Sequence, residues 1–290
     1  MHPKNNETLT QLQQQDQADR TYYHANKLTE KQLFVNDRKR LKAVFEMLEN
    51  NELQTSDDYK NAAIILHHGR TIEDERHLQA SDMAIELMRK SIKLEPNRGK
   101  WLLAAIIDRN LMIKGKPQIY GTQYIRKHKS TPWEFYKIDP TQITDKERKV
   151  HNVETLEEQK VTLIRMNKRQ LISLYQNNEN LDKILEICKN EKLQTSTYDV
   201  SWKGIDLFGY QLFRANEFEQ ALKIFQLNIN LNPLIADIHH SLGECWQRLG
   251  NEKLAVKAYL KAIEINPNFD IAINDLKHLQ KQISDRSKLG

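Results

Sequence analysis

The chain has 290 residues, which is enough for one large domain or two ordinary domains. Hydrophobic residues make up 39 % of it and charged residues 29 %, which is typical of helical repeat proteins with much surface per residue. Its 44 basic and 39 acidic residues are mixed along the chain, so no clustered phosphate-binding face and no nucleic-acid partner are expected. Nine glycines and seven prolines are too few for extensive turn-rich β structure.

The amino terminus, MHPKNNETLTQLQQQDQADR, is polar and lacks an apolar segment of signal-peptide length. The longest unbroken apolar run, WLLAAII, is far shorter than a membrane span. Cys188 and Cys245 lie far apart on helical patterns, which favours two core thiols over a disulfide or a zinc site. We therefore expect a cytoplasmic protein with no membrane partner.

The first part of the chain reads as helices with charged faces. Over residues 7–50 the candidate buried positions are Leu9, Leu12, Leu28, Leu33, Leu41, Val44, Phe45 and Leu48. Ser56-Asp57-Asp58 resembles an N-cap for a helix over residues 59–68, which Gly69 would end. A polar connection, RTIEDERHLQAS, precedes helices predicted over about 82–94 and 100–113.

The residues after the second of these helices favour β structure. IYGTQYIRK and WEFYKI are rich in Tyr, Ile, Phe and Trp, and they flank the loop-forming HKSTP. This predicts a β-hairpin near residues 118–138 on a helical body. Helices are expected again over 145–150 and 154–167, followed by a helical linker over 168–201.

Two aligned copies of one 34-residue pattern occupy residues 202–235 and 236–269. Small, aromatic and proline residues match in both copies: Gly209 with Gly243, Ala221 with Ala255, Phe225 with Tyr259, and Pro233 with Pro267. The small residues would let two antiparallel helices approach, the aromatic residue would fill the space between them, and proline would stop the second helix. A further amphipathic helix from about 269 to 284 would cover the end of the stack.

These marks resemble the tetratricopeptide repeat, with Asn228 standing where that family usually has alanine. The resemblance implies an α-α superhelix whose concave side is lined by the first helix of each pair. That places a mixed charged and aromatic set in a groove suited to a protein or peptide partner: Lys203, Asp206, Tyr210, Phe213, Arg214, Asp237, His240, Glu244, Gln247 and Arg248. The alternative is an ordinary solvated face that only extends the stack.

Residues 7–167 resemble an uncharacterised bacterial family, through DQADR, DYKNAAIILHHG and above all GKPQIYGTQ. The resemblance implies a bacterial source and transfers no catalytic residue. GKPQIYGTQ itself has two interpretations. It is the wall of a polar pocket or catalytic site, or it is a structural loop in which Asp108 and Arg109 form an anchoring ion pair. The candidate pocket residues are His68, Asp108, Arg109, Gln118, Tyr120, Thr122 and Gln123.

No cofactor or metal motif stands out. The phosphate-binding G-x-x-x-x-G-K-[ST] and G-x-G-x-x-G patterns are absent, as is the H-E-x-x-H zinc motif. His67 and His68 are adjacent, so on a helix they diverge by about 100° and do not converge on one ion. His77 would lie in a connection, and His240 is interpreted as a groove residue and not as a ligand. No metal and no cofactor are expected.

The sequence thus predicts a mostly α protein of three parts: a helical domain with a hairpin over 1–167, a helical linker over 168–201, and two tetratricopeptide repeats with a capping helix over 202–290. The predicted function is an adaptor or scaffold that binds a protein or peptide through the repeats. The alternative is an enzyme or small-ligand-binding domain built around Asp108, Arg109 and residues 118–123. The oligomeric state is not predicted.

Overall fold

A computed structural model describes residues 3–69, 75–128 and 130–287, including side chains except those of 75–77 and 287. The chain divides into two compact units, Met1–Leu163 and Ile164–Gly290, each with its own core. Across the described residues the protein is mostly α-helical with a single two-stranded hairpin, as predicted. No helix in these ranges is both long and apolar enough to cross a bilayer.

The first unit contains the elements that follow in chain order: α1 Glu7–His24, α2 Glu30–Glu49, α3 Ser56–His68, α4 Glu75–Leu94, α5 Lys100–Ile113, β1 Tyr124–Ile125, β2 Glu134–Phe135, α6 Asp145–Val150 and α7 Leu156–Met166. The boundary between the units falls within α7. Helices α1 to α5 share one apolar core, which includes the predicted residues Leu9, Leu41 and Val44.

The start of α3 differs by one residue from the predicted N-cap. Thr55 is the cap, and Ser56 is already helical. The Thr55 hydroxyl accepts a hydrogen bond from the Asp58 amide, and the Asp58 carboxylate accepts one from the Thr55 amide. This reciprocal pair is a capping box, which satisfies two amides that the first helical turn leaves unpaired.

Helix α4 begins at Glu75, earlier than the predicted start near residue 82. The segment ERHLQAS is polar, which predicts a connection, but its Glu, Arg, Leu, Gln and Ala residues are good helix formers. The first part of the predicted connection, residues 70–74, lies outside the described residues.

The predicted hairpin is present but short. Tyr124 pairs with Phe135 and Ile125 with Glu134 in antiparallel register, and the two aromatic rings stack with centroids 5.1 Å apart. A separate β-bridge pairs Gln118 with Ile138, so the loop that contains the hairpin is closed by hydrogen bonds where it leaves and rejoins the helical body. A small apolar core of Ala104, Tyr120 and Val153 packs this loop against α5 and against the chain after α6.

The second unit contains α8 Ile172–Gln176, α9 Leu181–Asn190, α10 Trp202–Arg214, α11 Phe218–Leu231, α12 Ala236–Arg248, α13 Glu252–Ile265 and α14 Asp270–Ser287. The segment expected to be a linker belongs to this unit, where Leu171, Ile184 and Cys188 join the core of the first repeat. Helix α14 packs on α13 through Leu276 and Leu279, as a capping helix should.

The repeat glycines do what their alignment predicts. A Cβ atom on Gly209 would lie 2.4 Å from the Phe225 ring, and one on Gly243 would lie 2.5 Å from the Tyr259 ring. Only glycine therefore leaves room for these rings between paired helices. The atypical Asn228 is fully buried, and its side-chain amide donates to the Trp202 carbonyl at 2.8 Å, so its polar group is satisfied in place of the usual alanine.

Candidate functional site

The loop that carries GKPQIYGTQ is tied to α5 by one carboxylate. Asp108 is fully buried, and its Oδ1 accepts from the amides of Ile119 and Tyr120 at 2.8 and 2.9 Å. Its Oδ2 accepts from the amide and the hydroxyl of Thr122 at 2.9 and 2.8 Å. Four donors therefore surround this carboxylate, and three of them are backbone amides. A carboxylate so placed fixes the path of a loop.

The two glutamines of the loop complete the same network. Gln118 is fully buried; its side-chain amide donates to the carbonyls of Gln123 and Tyr136, and its Oε1 accepts from the Gln123 amide at 2.8 Å. Gln123 in turn donates to the Thr122 hydroxyl and to the Ala105 carbonyl on α5. The Gln118 side chain thus binds three backbone groups, and the Gln123 side chain binds one backbone carbonyl and one hydroxyl.

Two residues that sequence reasoning missed hold the outer side of the loop. The Arg148 side chain on α6 is almost fully buried and donates to the carbonyls of Ile119, Tyr120 and Ile143. Gln159 on α7 donates to the Tyr120 carbonyl at 2.8 Å. Arg148 lies in the charged run DKERKV, which looks like an exposed helix, so no local signal distinguishes it.

Gly121 adopts a left-handed backbone conformation with φ of 92°, and a Cβ there would lie 1.9 Å from Gln159 Oε1. The glycine of the YGT turn is thus required both by its backbone angle and by the closeness of Gln159. Tyr120 is buried against this turn, with its hydroxyl 3.4 Å from His151 Nε2. Burial is the main cause that raises the pKa of Tyr120.

His68, the remaining candidate of α3, belongs to a different cluster. Its Nδ1 lies 2.7 Å from Oδ2 of the buried Asp16 on α1. Burial opposes ionisation of Asp16, yet the His68 hydrogen bond and the charges of His68, Arg20 and Arg40 hold its pKa below the usual range. Arg40 also forms ion pairs with Asp37 and Asp19, and together with the His68–Asp16 contact these bonds join α1, α2 and α3.

Arg109 lies near this charged cluster. Together with His68 and Arg20 it adds positive charge around His67, although burial is the largest cause that lowers the pKa of His67 to about 3. The candidate residues of the first unit thus fall into two groups. Asp108, Gln118, Tyr120, Thr122 and Gln123 surround one loop, while the hydrogen-bond partner of His68 is Asp16.

In the repeat unit, polar side chains connect the first helices of successive pairs. The hydroxyl of Tyr210 on α10 donates to Oε2 of Glu244 on α12. One turn earlier on α12, His240 lies with its Nδ1 3.6 Å from that same oxygen and its Nε2 2.7 Å from Asp275 Oδ2 on α14. We call this chain of four side chains the groove ladder: Tyr210, Glu244, His240 and Asp275.

Asp206 lies one turn before Tyr210 on α10. Its Oδ1 is buried without a hydrogen-bond partner. Burial is the largest cause that raises the pKa of this carboxyl to about 6, and the charges of Asp237 and Glu244 act in the same direction. Burial and the bond to Glu244 also raise the pKa of Tyr210. Asp237 itself is exposed.

The basic residues of the predicted groove lie over aromatic rings. Lys203 Nζ is 5.5 Å from the Trp202 ring centroid, while the guanidinium carbons of Arg214 and Arg248 are 5.9 and 5.5 Å from the rings of Tyr210 and Phe218. A cavity of about 270 Å³ lies beside the ladder and is lined by Phe213, Glu244, Gln247, Arg248, Tyr259 and Asp275. Of these, Tyr259 and Asp275 were not among the predicted groove residues, because the prediction covered only the first helix of each recognised repeat.

Comparison with known proteins supports the repeat assignment. Residues 236–269 match the tetratricopeptide repeat family. A segment of 74 residues, 25 % of this chain, is 34 % identical to the uncharacterized protein ycf37 of Pyropia yezoensis. The match spans 42 % of that relative's length.

Similar solved structures include the MamA protein, with 16 % identity over 80 % of this chain and 85 % of that one and a TM-score of 0.29. YrrB, described as a TPR protein with an unusual peptide-binding site, is 15 % identical over 82 % of this chain and 99 % of its own chain, with a TM-score of 0.28. Yeast Tom70 is 15 % identical over 89 % of this chain and 54 % of its own chain, with a TM-score of 0.36. The repeat assignment depends on the sequence match and on the helix packing around Gly209 and Gly243.

Proposed function

We propose that this protein is a scaffold that binds a protein or peptide partner along the groove ladder and the cavity beside it. The observation that carries the proposal is the ladder itself. Its side chains come from three helices, and its polar groups bind one another and not the backbone. A partner can exchange such bonds for its own without unfolding a loop or a helix.

The surroundings of the ladder fit an extended peptide or a partner helix. Tyr210 and Phe213 offer aromatic surface, with ring centroids 6.2 Å apart in an edge-on arrangement. Arg214 and Arg248 supply donors that lie over aromatic rings and suit carboxylates or backbone carbonyls. Aromatic residues and arginine are the side chains that most often dominate the binding energy of protein interfaces.

Quantitative affinity capture tests this function. The wild type, the double variant Tyr210→Ala with Arg248→Ala, and a matched control would be compared as bait under identical conditions. The control is Lys257→Ala with Leu260→Ala, two exposed positions on α13. We expect the groove variant to lose specific partners at least tenfold while the control retains them. Equal capture by all three proteins, at equal thermal stability, would refute the proposal.

The alternative, an enzyme or small-ligand site around Asp108, Arg109 and residues 118–123, stays a prediction. The bonds of Asp108, Gln118 and Gln123 within the loop support a structural role for these groups. The alternative requires that Asp108→Asn or Gln123→Ala remove ligand binding or turnover in a protein that stays folded.

The finer assignments are also proposals. A cytoplasmic location is supported by two buried free thiols, Cys188 and Cys245, which suit a reducing compartment. The bacterial source that the sequence resemblance of residues 7–167 implies stays a prediction. Both would be tested by fractionation of cells that express the tagged full chain and by its taxonomic context.

A further inference from the structure

One imidazole and two carboxylates converge within the groove ladder. His240, Glu244 and Asp275 each offer one ligand atom, and these atoms all lie within 4.8 Å of one another. Among the described residues, one group of histidine, cysteine and acidic side chains has metal-ligand spacing, and it is this one. The set is not a purely acidic cluster, because the imidazole supplies a nitrogen ligand.

The backbone explains the convergence. His240 and Glu244 are spaced i, i+4 on α12, so both lie on one face of that helix. Asp275 comes from α14, which begins just after the second repeat and packs on α13. Because the third ligand comes from another helix, the spacing H-x-x-x-E alone did not suggest a metal.

The ligands are held in place before any ion arrives. His240 is buried, and its ring lies 5.5 Å from the ring centroids of both Tyr259 and Phe269. Tyr210 donates to Glu244, which orients that carboxylate from outside the site. Hydrogen bonds of this kind fix the ligands of many metal sites and strengthen binding.

The site also has the charge and the access that an ion needs. The two carboxyl groups of Glu244 and Asp275 lie beside the imidazole of His240, which is a ligand set suited to a cation. The cavity of about 270 Å³ touches both Glu244 and Asp275, which gives an ion a path and room for water ligands. Three protein ligands plus water is a common arrangement for zinc.

We propose that His240, Glu244 and Asp275 bind one divalent first-row transition-metal ion of the zinc type. A nitrogen ligand with two carboxylates favours such ions over Mg²⁺ and Ca²⁺, which prefer oxygen ligands alone. The ion would link α12 of the second repeat to the capping helix α14. It would thereby stabilise the end of the stack on which the proposed groove depends.

Thermal unfolding with and without Zn²⁺ tests the site. The full chain is stripped with a chelator, dialysed, and heated in the presence or absence of excess ZnCl₂. Ligand that binds only the folded state raises the Tm, and we expect a rise of about 5 °C in the transition of the repeat unit. Isothermal titration with ZnCl₂ should give one ion per chain.

The variants Asp275→Asn and His240→Gln should abolish the rise in Tm and weaken binding at least tenfold. Asp275→Asn nearly preserves side-chain shape, so it keeps the test valid if His240→Gln folds poorly. The matched control is His278→Ala, an exposed histidine on α14 that is not part of the site. It should leave both the rise in Tm and the stoichiometry unchanged.

Three outcomes would overturn the proposal: no binding of Zn²⁺ by the wild type, an unchanged rise in Asp275→Asn, or loss of the rise in His278→Ala. The last would indicate adventitious binding by surface histidines. None of these measurements uses a partner, so failure here is distinguishable from failure of the proposed scaffold function.

Discussion

The loop around Asp108 and the groove ladder are both rich in polar side chains, but they use them differently. In the loop, the buried carboxylate of Asp108 and the buried amide of Gln118 bind mostly backbone groups. In the ladder, Tyr210 binds Glu244 and His240 binds Asp275, side chain to side chain, beside a cavity. Composition alone does not separate the two cases.

The difference separates the structural network of the loop from the proposed binding surface of the ladder. A side chain that satisfies several buried amides cannot turn to a ligand without leaving those amides unpaired, at about 1–3 kcal/mol each. The carboxylates of Glu244 and Asp275 in the ladder are about one third exposed, so they can exchange a side-chain partner for water or for a group of the bound partner at lower cost. The loop should therefore respond to mutation mainly in stability, and the ladder mainly in binding.

The largest expected effect is that of Asp108→Ala. It removes the acceptor of four hydrogen bonds and leaves three backbone amides without this partner, one of them buried and two part-buried. We expect the first unit to lose about 3–5 kcal/mol of unfolding free energy. Urea unfolding followed by circular dichroism measures the loss, and amide hydrogen exchange locates it in residues 118–123.

The matched control for this variant is Glu157→Ala, a carboxylate on α7 whose side chain is 80 % exposed and pairs with Lys160. Surface ion pairs contribute only about 0–1 kcal/mol, so this change should be nearly neutral. If Asp108→Ala proves as mild as Glu157→Ala, the loop is not held by Asp108, and the comparison between loop and ladder fails.

The next largest effect tests the packing of α12 against α13, because α12 carries the ladder residues His240 and Glu244. Gly243→Ala would place a methyl group 2.5 Å from the Tyr259 ring and force α12 and α13 apart. Overpacking of this kind costs about 1–3 kcal/mol, measured by urea unfolding of the full chain. Gly250→Ala is a useful comparison, since its Cβ meets nothing within 4 Å and it carries only the strain of a φ of 77°.

Rescue would show that the loss in Gly243→Ala comes from this one contact. Replacing Tyr259 by Leu in the Gly243→Ala background should recover part of the stability, because the smaller side chain makes room. No recovery would place the cause in the backbone of α12 and not in the packing of the ring.

The repeat frame could be predicted from sequence because its signals are periodic. Gly209, Gly243, Phe225 and Tyr259 recur at 34 residues, and each pair has the same packing role in the structure. The helix limits of the repeats also follow from local residues, such as Ser201, which caps α10. Features that are local in the chain or repeated along it can therefore be recognised in a single sequence.

The environment of single side chains could not be predicted in the same way. Arg148 is buried against the loop carbonyls although its neighbours form a charged helix. Asp275 reaches His240 from 35 residues away, outside any recognised repeat. Such contacts depend on how separate segments meet in space, and no short pattern encodes that.

A smaller effect concerns the charge at Asp206. Its pKa in the folded protein is about 6, above the ordinary value of 3.8, chiefly because the carboxyl is buried. Folding therefore disfavours its ionisation, so a cost to stability is present above about pH 6 and disappears toward pH 4. Asp206→Asn should stabilise the repeat unit by about 1–2 kcal/mol at pH 7.5 and by almost nothing at pH 4.

Thermal unfolding across pH measures this difference, with Asp285→Asn on the exposed side of α14 as the control. A carboxylate that lowers stability where it stands is expected at a binding surface, so Asp206→Asn should also weaken partner capture. Destabilisation at pH 7.5 would contradict a raised pKa of Asp206 caused by burial of its carboxyl group.

The smallest expected effect on stability is that of Tyr210→Phe, which tests whether the ladder binds a partner or only holds the helices together. Tyr210→Phe removes only the hydroxyl that donates to Glu244 and keeps the ring against Phe225. Glu244 is partly exposed, so water replaces the bond and stability should fall by only about 0.5–1 kcal/mol. Tyr175→Phe is the matched control, since the Tyr175 hydroxyl donates to Glu217 at 2.5 Å within the same unit. Both variants should lose similar stability in urea unfolding, but Tyr210→Phe alone should weaken partner capture. Equal capture by the two would mean that the ladder is a structural bond like that of Tyr175.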